Sequence, residues 1–202
     1  MIKTYLYKNP EDITAQQLER EMLPVLPAWR REQTLKFRFH LGRVLCAQSY
    51  LLLQKGLEQD FNISASVTFD YLGHGKPIIR EYPDVHFNIS HCKNGILCVI
   101  SDEGPVGCDI EMVEHKISDA LLERCCCSKE IEAVKNAHNP ECEFVKLWTK
   151  KEAVVKFTGE GLNDQLPELL LQDWVKKLNL QTAVCEADGF VYTVCSGGTD
   201  CR

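Results

Sequence analysis

Apolar residues along this chain follow two different periods, and each period predicts a different kind of element. Between Glu32 and Lys55 they recur at offsets of three, four, seven and eight, which predicts one long amphipathic helix. The segment IKTYLY near the start alternates between apolar and polar positions, as strands do. Further short β-like runs follow the helix, separated by Gly, Pro, Asn and Asp: SVTFDYL, KPIIREY, VHFNIS and GILCVIS. They predict a small antiparallel sheet.

The second half of the chain repeats this order in outline. SDEGP at 101–105 interrupts the pattern, and VGCDIEMV then predicts a strand. Helical patterns follow over about 118–137 and 142–158, and LQTAVCEA and FVYTVCS flank an Asp-Gly turn at 188–189, which is typical of a hairpin. We therefore predict an α+β protein of two lobes, 1–104 and 105–202, with no repeat at the level of single residues.

The composition of the chain argues against some classes of function. The 202 residues are 45% hydrophobic and carry a formal net charge of -6, which argues against a nucleic-acid binder that relies on bulk positive charge. The N-terminus contains no long apolar run, so we expect neither a signal peptide nor a membrane anchor, and a cytoplasmic protein. The 11 cysteines include no Cys-x-x-Cys pair, so we expect reduced thiols that mostly fill the core, and no zinc site.

Two acidic residues interrupt the apolar strand that opens the second half. Asp109 and Glu111 are two positions apart, so both side chains point to one face, while Cys108, Ile110 and Met112 point to the other. Two carboxylates about 7 Å apart repel by about 2 kcal/mol at an effective dielectric near 20, and a divalent cation would reverse that cost. The pair fits either a metal-binding face or the wet face of a half-exposed strand.

A second charged group lies on the last long helical segment, LWTKKEAVVKFTGEGL. Trp148, Glu152 and Lys156 are spaced at i, i+4 and i+8, which places them on one stripe of the helix. Spacing alone favours an ordinary Glu–Lys surface pair. Gly159 or Gly161 is expected to end the helix, and the segment lacks the phosphate-loop pattern.

Two short segments of the first half carry further candidates. YLGHGKP is a glycine-rich turn that delivers Lys76, and FNISHC brings Ser90 and His91 to the end of a strand; all three would suit a phosphate. A turn lysine and an exposed or capped histidine are the structural alternatives. A basic cluster near the start of the long helix is either a solvated polar face or an anion-binding corner: Arg30, Arg31, Lys36, Arg38 and Arg43.

The order GKP, FNISH, VGCDIE and WTKKEAVVKFTGEGL resembles that of the 4′-phosphopantetheinyl transferases, in the two-lobed type that activates peptide synthetases and some fatty acid synthases. The similarity spans about residues 73–162, and its most specific parts are the G-x-D-x-E strand and the W-x-x-K-E-x-x-x-K-x-x-G-x-G-L helix. It implies an α+β fold of two lobes related by a pseudo-twofold axis, each with a long helix packed on a small, mostly antiparallel sheet. It also implies a monomer whose partners are coenzyme A and an apo acyl or peptidyl carrier protein, with no nucleic acid or membrane.

The resemblance further implies roles for individual residues. Glu152 would be the base that accepts the serine proton, either directly or through a metal-bound water, and Lys156 would neutralise or protonate the departing nucleotide. The Mg²⁺ ligands would be Asp109, Glu111 and Glu152. The contacts to coenzyme A phosphates would come from Lys76, Ser90, His91 and, at the 3′-phosphate, Arg31 with Arg30.

The implied reaction is attack by a carrier-protein serine on the pantetheine-side phosphorus of coenzyme A, dependent on Mg²⁺ and releasing 3′,5′-ADP. The residues leave two other functions open. In a Mg²⁺-dependent phosphohydrolase, Asp109 and Glu111 would activate water, and in a non-catalytic coenzyme A or nucleotide-binding module, Glu152 and Lys156 would be a surface pair. Carrier proteins are typically acidic around the modified serine, which makes five basic residues docking candidates: Arg30, Arg31, Lys36, Lys150 and Lys151.

Overall fold

The computed structural model describes residues 1–113 and 117–197 and shows an α+β protein. The strands are β1 Ile2–Lys8, β2 Phe69–Leu72, β3 Lys76–Ile79, β4 His86–Cys92, β5 Gly95–Ser101, β6 Val106–Met112, β7 Asn179–Cys185 and β8 Phe190–Ser196. The α-helices are α1 Ala15–Gln17, α2 Ala28–Leu35, α3 His40–Phe61, α4 Asp119–Cys125, α5 Ser128–Asn136 and α6 Pro140–Thr158. A π-helical turn at Leu18–Met22 continues α1, and 3₁₀ turns lie at Pro10–Asp12, Leu23–Val25, Leu166–Leu171, Val175–Lys177 and Glu186–Asp188.

Two three-stranded antiparallel sheets frame the protein. The N-terminal sheet has the order β1-β5-β4 and the C-terminal sheet the order β6-β8-β7, while β2 and β3 form a separate hairpin. The predicted hairpin around Gly189 is confirmed as β7 and β8, with Gly189 at φ 69°. Each three-stranded sheet lies within one of the two predicted lobes, whose boundary at residue 104 stays a prediction.

The two sheets and two long helices pack in four layers. In β5, Ile96, Cys98 and Ile100 join the core under α3, whereas Leu97 and Val99 point the other way into a second core. That second core is shared between the sheets and takes Cys108, Ile110, Phe190 and Val194 from β6 and β8. The outer face of the C-terminal sheet is covered by α6. Alternation along β5 and β6 therefore directs one set of side chains to a helix and the other to the facing sheet.

The prediction of one helix from 32 to 55 is wrong. The chain leaves the helical conformation after α2 and re-enters it at α3, and Phe39 is extended at φ -96°, ψ 147°. The break lets α2 fold back onto α3, where the rings of Trp29 and Tyr50 meet edge to face at 5.5 Å. The predicted helix over 118–137 is likewise two helices, because Cys126 is extended between α4 and α5.

The thiols lie where the composition predicts them. All ten cysteines in the described part of the chain are free, and seven of them are buried. The eleventh, Cys201, lies outside the described residues. Within residues 1–113 and 117–197, no helix combines the length and the apolar character needed to cross a bilayer.

Candidate active site

Gly107 allows α6 to lie directly on β6. A Cβ at this position would meet the main chain of α6 2.9 Å from Phe157 Cα, and still closer to the carbonyl oxygen of Ala153. The helix begins after Asn139, whose side chain accepts the N–H of Cys142, and it ends at Gly159 with φ 75°, as predicted. Close packing brings the Asp109 face of β6 against the charged stripe of α6.

A buried ion pair joins these two elements. Lys156 Nζ donates to Asp109 Oδ1 at 2.6 Å and to Ser90 Oγ at 3.0 Å, and Ser90 Oγ donates to the same Asp109 oxygen at 2.8 Å. Asp109 is only 2% exposed. Burial lowers the pKa of Lys156, but the attraction and hydrogen bond of Asp109 outweigh it and the net pKa is raised. The sequence-predicted residues Asp109, Lys156 and Ser90 thus meet in one cluster.

The other carboxylate oxygen of Asp109, Oδ2, has different surroundings. Asp109 Oδ2 is buried and has no hydrogen-bond donor within the described part of the chain. Buried polar atoms are nearly always paired, so an orphaned carboxylate oxygen indicates a position for a missing cation or donor.

Glu152 lies close enough to this cluster to interact with both of its charges. Burial raises the pKa of Glu152, and the negative charge of Asp109 raises it further, while Lys156 opposes the shift. Glu111 is half-buried on the same face of β6 as Asp109. Among residues 1–113 and 117–197, no three His, Cys, Asp or Glu side chains are arranged as a ready metal site. The assignment of Asp109, Glu111 and Glu152 as Mg²⁺ ligands stays a prediction.

Lys76 ties β3 to the end of α6. Its Nζ donates to the carbonyl oxygens of Phe157 at 2.7 Å and Val106 at 3.2 Å. Burial lowers the pKa of this ammonium. The predicted contact of Lys76 with a phosphate stays a prediction, and two carbonyls already take its protons in this geometry.

Two adjacent cavities run from α2 to the end of α6. The first, of about 360 Å³, is lined by residues that include Arg30, Ser49, Tyr71 and His91. The second, of about 260 Å³, is lined by residues that include His74, Lys76, Lys156 and Gly161. They share the wall formed by Pro77, Asn88 and Ile89. Together they form a groove that reaches Lys156, whose ammonium is bound to the buried Asp109.

His91 lies on the wall of the first cavity. The side chain is partly exposed, but burial of the ring lowers its pKa, and the charges of Lys156 and Arg30 lower it further. A neutral imidazole beside two cations is a hydrogen-bonding group in a positive environment. This location suits an anion, and the phosphate contact predicted for His91 stays a prediction.

Arg30, and not Arg31, lines that cavity. The Arg30 guanidinium donates to Gln33 Oε1 and to the carbonyl of Cys46, both at 2.8 Å, and stacks over the rings of Trp29 and Tyr50. Arg31 is exposed on the outer surface of α2. Helical spacing separates neighbouring residues by about 100°, so the sequence could not show which arginine turns inward. The assignment of Arg31 to the 3′-phosphate stays a prediction.

The prediction that Lys151 helps to dock the carrier protein is wrong, because this residue is completely buried. Its ammonium donates to Glu130 Oε2 and to the carbonyls of Cys125, Leu166 and Pro167, at 2.7 to 3.0 Å. It joins α6 to the end of α4, to α5 and to the turn after the helix. Lys150, by contrast, is only half-buried.

Sequence reasoning also missed the role of Asn88. β6 is an edge strand of the C-terminal sheet, and the N–H of Cys108 on its open edge is accepted by Asn88 Oδ1 at 2.9 Å. Pairing a free edge in this way fixes β4 beside β6. The only signal in the sequence was the polar residue in an otherwise apolar segment, FNIS.

Comparison with known proteins defines the class to which this fold and site belong. A family model described as the 4′-phosphopantetheinyl transferase superfamily matches residues 105–193. The chain is 33% identical over 132 residues to the 4′-phosphopantetheinyl transferase AcpT of Salmonella typhimurium, a match that covers 61% of this chain and 69% of AcpT. The chain therefore belongs to the 4′-phosphopantetheinyl transferase superfamily, whose members use coenzyme A as substrate and act on carrier proteins.

Further relatives carry the same enzyme name. The 4′-phosphopantetheinyl transferase psf-1 of Bacillus pumilus is 28% identical over 156 residues, covering 76% of this chain and 66% of psf-1. The transferase ffp of Bacillus subtilis is 27% identical over 165 residues, covering 80% of this chain and 72% of ffp. The chain spans about two thirds of the length of these curated relatives.

Proposed function

We propose that this chain transfers the 4′-phosphopantetheine arm of coenzyme A to a serine of an apo acyl or peptidyl carrier protein, with release of 3′,5′-ADP. The observation that carries the proposal is a groove lined by Arg30, His91, Lys76 and Lys156, in which Lys156 is bound to the buried carboxylate of Asp109. The groove supplies cations for an extended polyphosphate ligand, and Asp109 adds an acidic group beside them. Membership of the transferase superfamily supports the same reaction.

The acidic residues fit Mg²⁺ by their chemistry. Mg²⁺ takes oxygen ligands and is commonly bound through one or two carboxylates together with substrate phosphates. Asp109 Oδ2 is a buried oxygen without a donor among the described residues. Glu152 is a half-buried carboxylate that is close enough to interact electrostatically with Asp109. We assign Asp109, Glu111 and Glu152 as the residues that would hold the ion. When bound, the metal supplies positive charge that offsets the charge growing on the departing phosphate.

Glu152 is assigned as the base. A raised pKa brings its carboxylate nearer to the operating pH and makes it a better proton acceptor than an exposed glutamate. The serine oxygen forms the new P–O bond, its proton passes to the Glu152 carboxylate, and the bond from the pantetheine-side phosphorus to the bridging oxygen breaks. The electron pair of that bond leaves with 3′,5′-ADP.

Lys156 is assigned to the leaving group. Its raised pKa keeps the ammonium charged, and it lies between Asp109 and the second cavity. A fixed positive charge in a poorly solvated position stabilises a developing phosphate anion more than the same charge in water. Arg30, His91 and Lys76 are assigned to binding the remaining phosphates, together with Arg31 at the outer end.

The carrier protein would dock on the connection between α2 and α3. Leu35 at the end of α2 and Phe37 and Phe39 in this loop are exposed, Phe39 to 72%, and the loop also carries Lys36 and Arg38. Phe37 lines the first cavity, which places the loop at the mouth of the groove. A local basic and aromatic surface on a chain of net charge -6 is complementary to an acidic carrier helix. The two-lobed division, a cytoplasmic location and a monomeric state belong to the same proposal.

One assay tests the reaction. The protein is incubated with coenzyme A, Mg²⁺ and an apo carrier protein, and the intact carrier is weighed by mass spectrometry. Addition of one phosphopantetheine arm, dependent on the carrier serine, is the expected result. Nucleotide release without carrier modification would instead indicate a phosphohydrolase, and coenzyme A binding with neither product would indicate a binding module.

A further inference from the structure

We infer that Thr149 and Thr193 are positioning residues for Glu152, because their hydroxyl pair determines how closely α6 lies on the C-terminal sheet. The inference rests on the proposed function, in which Glu152 is the base. Its basis is a pair of hydroxyl groups that meet between two otherwise apolar rows of side chains.

Each of the two threonines is a polar residue at a position where the packing is apolar. On the side of α6 that meets the sheet, Thr149 lies four residues after Val145 and four before Ala153, and all three are buried. On β8, Thr193 is completely buried between two buried apolar residues that face α6, Val191 and Cys195. Valine has the same branched shape as threonine, so packing alone does not require either hydroxyl. A buried hydroxyl is costly unless it is hydrogen-bonded.

The two hydroxyls are hydrogen-bonded to each other. Thr149 Oγ1 lies 2.9 Å from Thr193 Oγ1, and Thr182 Oγ1 on β7 also lies 2.9 Å from Thr193 Oγ1. Two hydrogen-bonded oxygens approach to this distance, whereas a carbon and an oxygen in contact stay about 3.3–3.6 Å apart. The hydroxyl pair therefore lets α6 lie about 0.5 Å closer to β8 than a methyl group at the same place would.

The threonine pair forms one of the polar links between α6 and the sheet, and it lies beside the candidate site. Thr193 is directly opposite Asp109 in the register of β8 and β6. Asp109 in turn binds Lys156, seven residues after Thr149 on α6. Residues seven apart are two turns apart, so both links point to the same side of the helix, separated by about 10 Å along its axis. Glu152 lies between them, so the two links together fix where its carboxylate is.

The position of Gly107 explains why a small change at Thr149 would move Glu152. The main chain of α6 near its C-terminal end lies directly on Gly107, with no room for a side chain between them. A wider separation at Thr149 alone would therefore tilt α6 and carry Glu152 away from Asp109. A displacement of about 1 Å can cost about 100-fold in rate, so a shift about half as large should cost about tenfold.

The experiment removes the hydroxyls one at a time. Thr149→Val and Thr193→Val replace a hydroxyl with a methyl group and break the pair, whereas Thr149→Ser keeps the hydroxyl and loses only the methyl group. Thr182→Val is the matched control, because it removes an equally close hydroxyl from Thr193 on the side of β7 and not of α6. Thr149→Ala breaks the pair without adding a group, and it takes the place of either Val substitution that does not fold.

Two measurements are made at a temperature where melting curves show every variant to be folded. The mass of the carrier protein gives kcat and KM for coenzyme A, and crystal structures give the distance between the Cα atoms of Glu152 and Asp109. In Thr149→Val and Thr193→Val we expect kcat to fall about tenfold with an unchanged KM for coenzyme A. The Cα distance should increase by about 0.5 Å. Combining the two substitutions should cost no more than either alone, because they remove the same bond.

Thr149→Ala should lose part of this kcat, while Thr149→Ser and Thr182→Val should match the wild type. A wild-type kcat in the folded Thr149 and Thr193 variants, an equal loss in Thr182→Val, or a lower kcat without the displacement overturns the inference. Transfer by the wild-type protein is a separate outcome. Its absence would overturn the proposed function, and the Cα distances would still decide whether the hydroxyl pair positions Glu152.

Discussion

The ammonium of Lys151 lies 2.7 Å from the Glu130 carboxylate, with 1% of the lysine side chain and 12% of the glutamate side chain exposed. Lys151 directly precedes Glu152, the residue assigned as base, but its side chain leaves α6 about 100° further round the helix. Lys151 secures the helix to its neighbours, whereas Glu152 interacts with the charges of Asp109 and Lys156.

Replacing Lys151 should destabilise the protein far more than replacing its neighbour. Lys151→Met removes the cation that pairs with Glu130 and the ammonium donor to three carbonyls, and breaking a buried ion pair typically costs about 3–5 kcal/mol. Lys150→Met is the control, with an expected change within about 0.5 kcal/mol. Urea unfolding followed by circular dichroism measures both. Equal stability of the two variants would contradict the structural role of Lys151.

Adding a methyl group at Gly107 should separate α6 from β6. Its Cβ would overlap the backbone of the helix, which cannot move aside as a flexible side chain can. We expect Gly107→Ala to lose about 1–3 kcal/mol or more of stability and most of the transfer activity. Gly42→Ala is the control, since its Cβ would meet only the Phe37 side chain at 3.0 Å and a helical alanine gains about 1 kcal/mol over glycine. A Gly107→Ala protein as stable and active as the wild type would contradict the close packing.

Glu152→Gln should be inactive and yet more stable at neutral pH. Loss of a general base commonly costs 10²- to 10⁴-fold, so transfer should fall about 100-fold or more. Folding raises the pKa of Glu152. Above that pKa, the ionised carboxylate is therefore less stable in the folded state than in the unfolded state. The neutral amide removes this penalty, and the melting temperature at pH 7 should rise. The stabilisation should vanish below the ordinary glutamate pKa, where Glu152 is protonated in both states. A lower melting temperature at pH 7 would count against a desolvated carboxylate.

The pKa of Glu152 should depend on the charge of Lys156. Lys156 lowers this pKa, opposing burial and Asp109, so Lys156→Met should raise it further. Lys156→Arg keeps the charge and should leave the pKa nearly unchanged. Carboxyl ¹³C NMR titration in EDTA reports the value directly. A fall in the Glu152 pKa in Lys156→Met would show that the two side chains do not face the same site.

The loop between α2 and α3 should control recognition of the carrier protein and not of coenzyme A. Phe39→Ser removes the most exposed apolar side chain, and Arg38→Glu reverses a charge beside it. Each should raise KM for the carrier at least several-fold at low salt, with KM for coenzyme A unchanged. Lys177→Glu, an exposed charge reversal in the C-terminal half, is the control. An equal effect of Lys177→Glu would indicate net charge and not a docking site.

Strand alternation was sufficient to predict most of the sheet, because buried strands carry their pattern locally. It also placed Asp109 and Glu111 on one face and Glu152 with Lys156 on one stripe, as the structure has them. Helix breaks were harder to predict, because Phe37 continues the apolar periodicity from α2 towards α3 and yet is exposed. Periodicity shows where apolar residues recur. It does not show whether one helix continues or whether the chain breaks and packs a second helix against the first.

The direction of single side chains was the least predictable part of the site. Lys150 and Lys151 are equivalent in the sequence, and Arg30 and Arg31 likewise, yet one member of each pair turns inward. That choice depends on acceptors far along the chain, such as Glu130 for Lys151 and the Cys46 carbonyl for Arg30. Local residue spacing does not predict contacts between residues that are far apart in the sequence.

The core shared by the two sheets makes the halves of this chain inseparable. Leu97 and Val99 from one sheet and Ile110 and Phe190 from the other are completely buried in this shared core. Residues 1–104 expressed alone would expose that apolar surface and would be prone to aggregation. The two three-stranded sheets should therefore unfold in one cooperative transition, because neither can keep the shared core without the other.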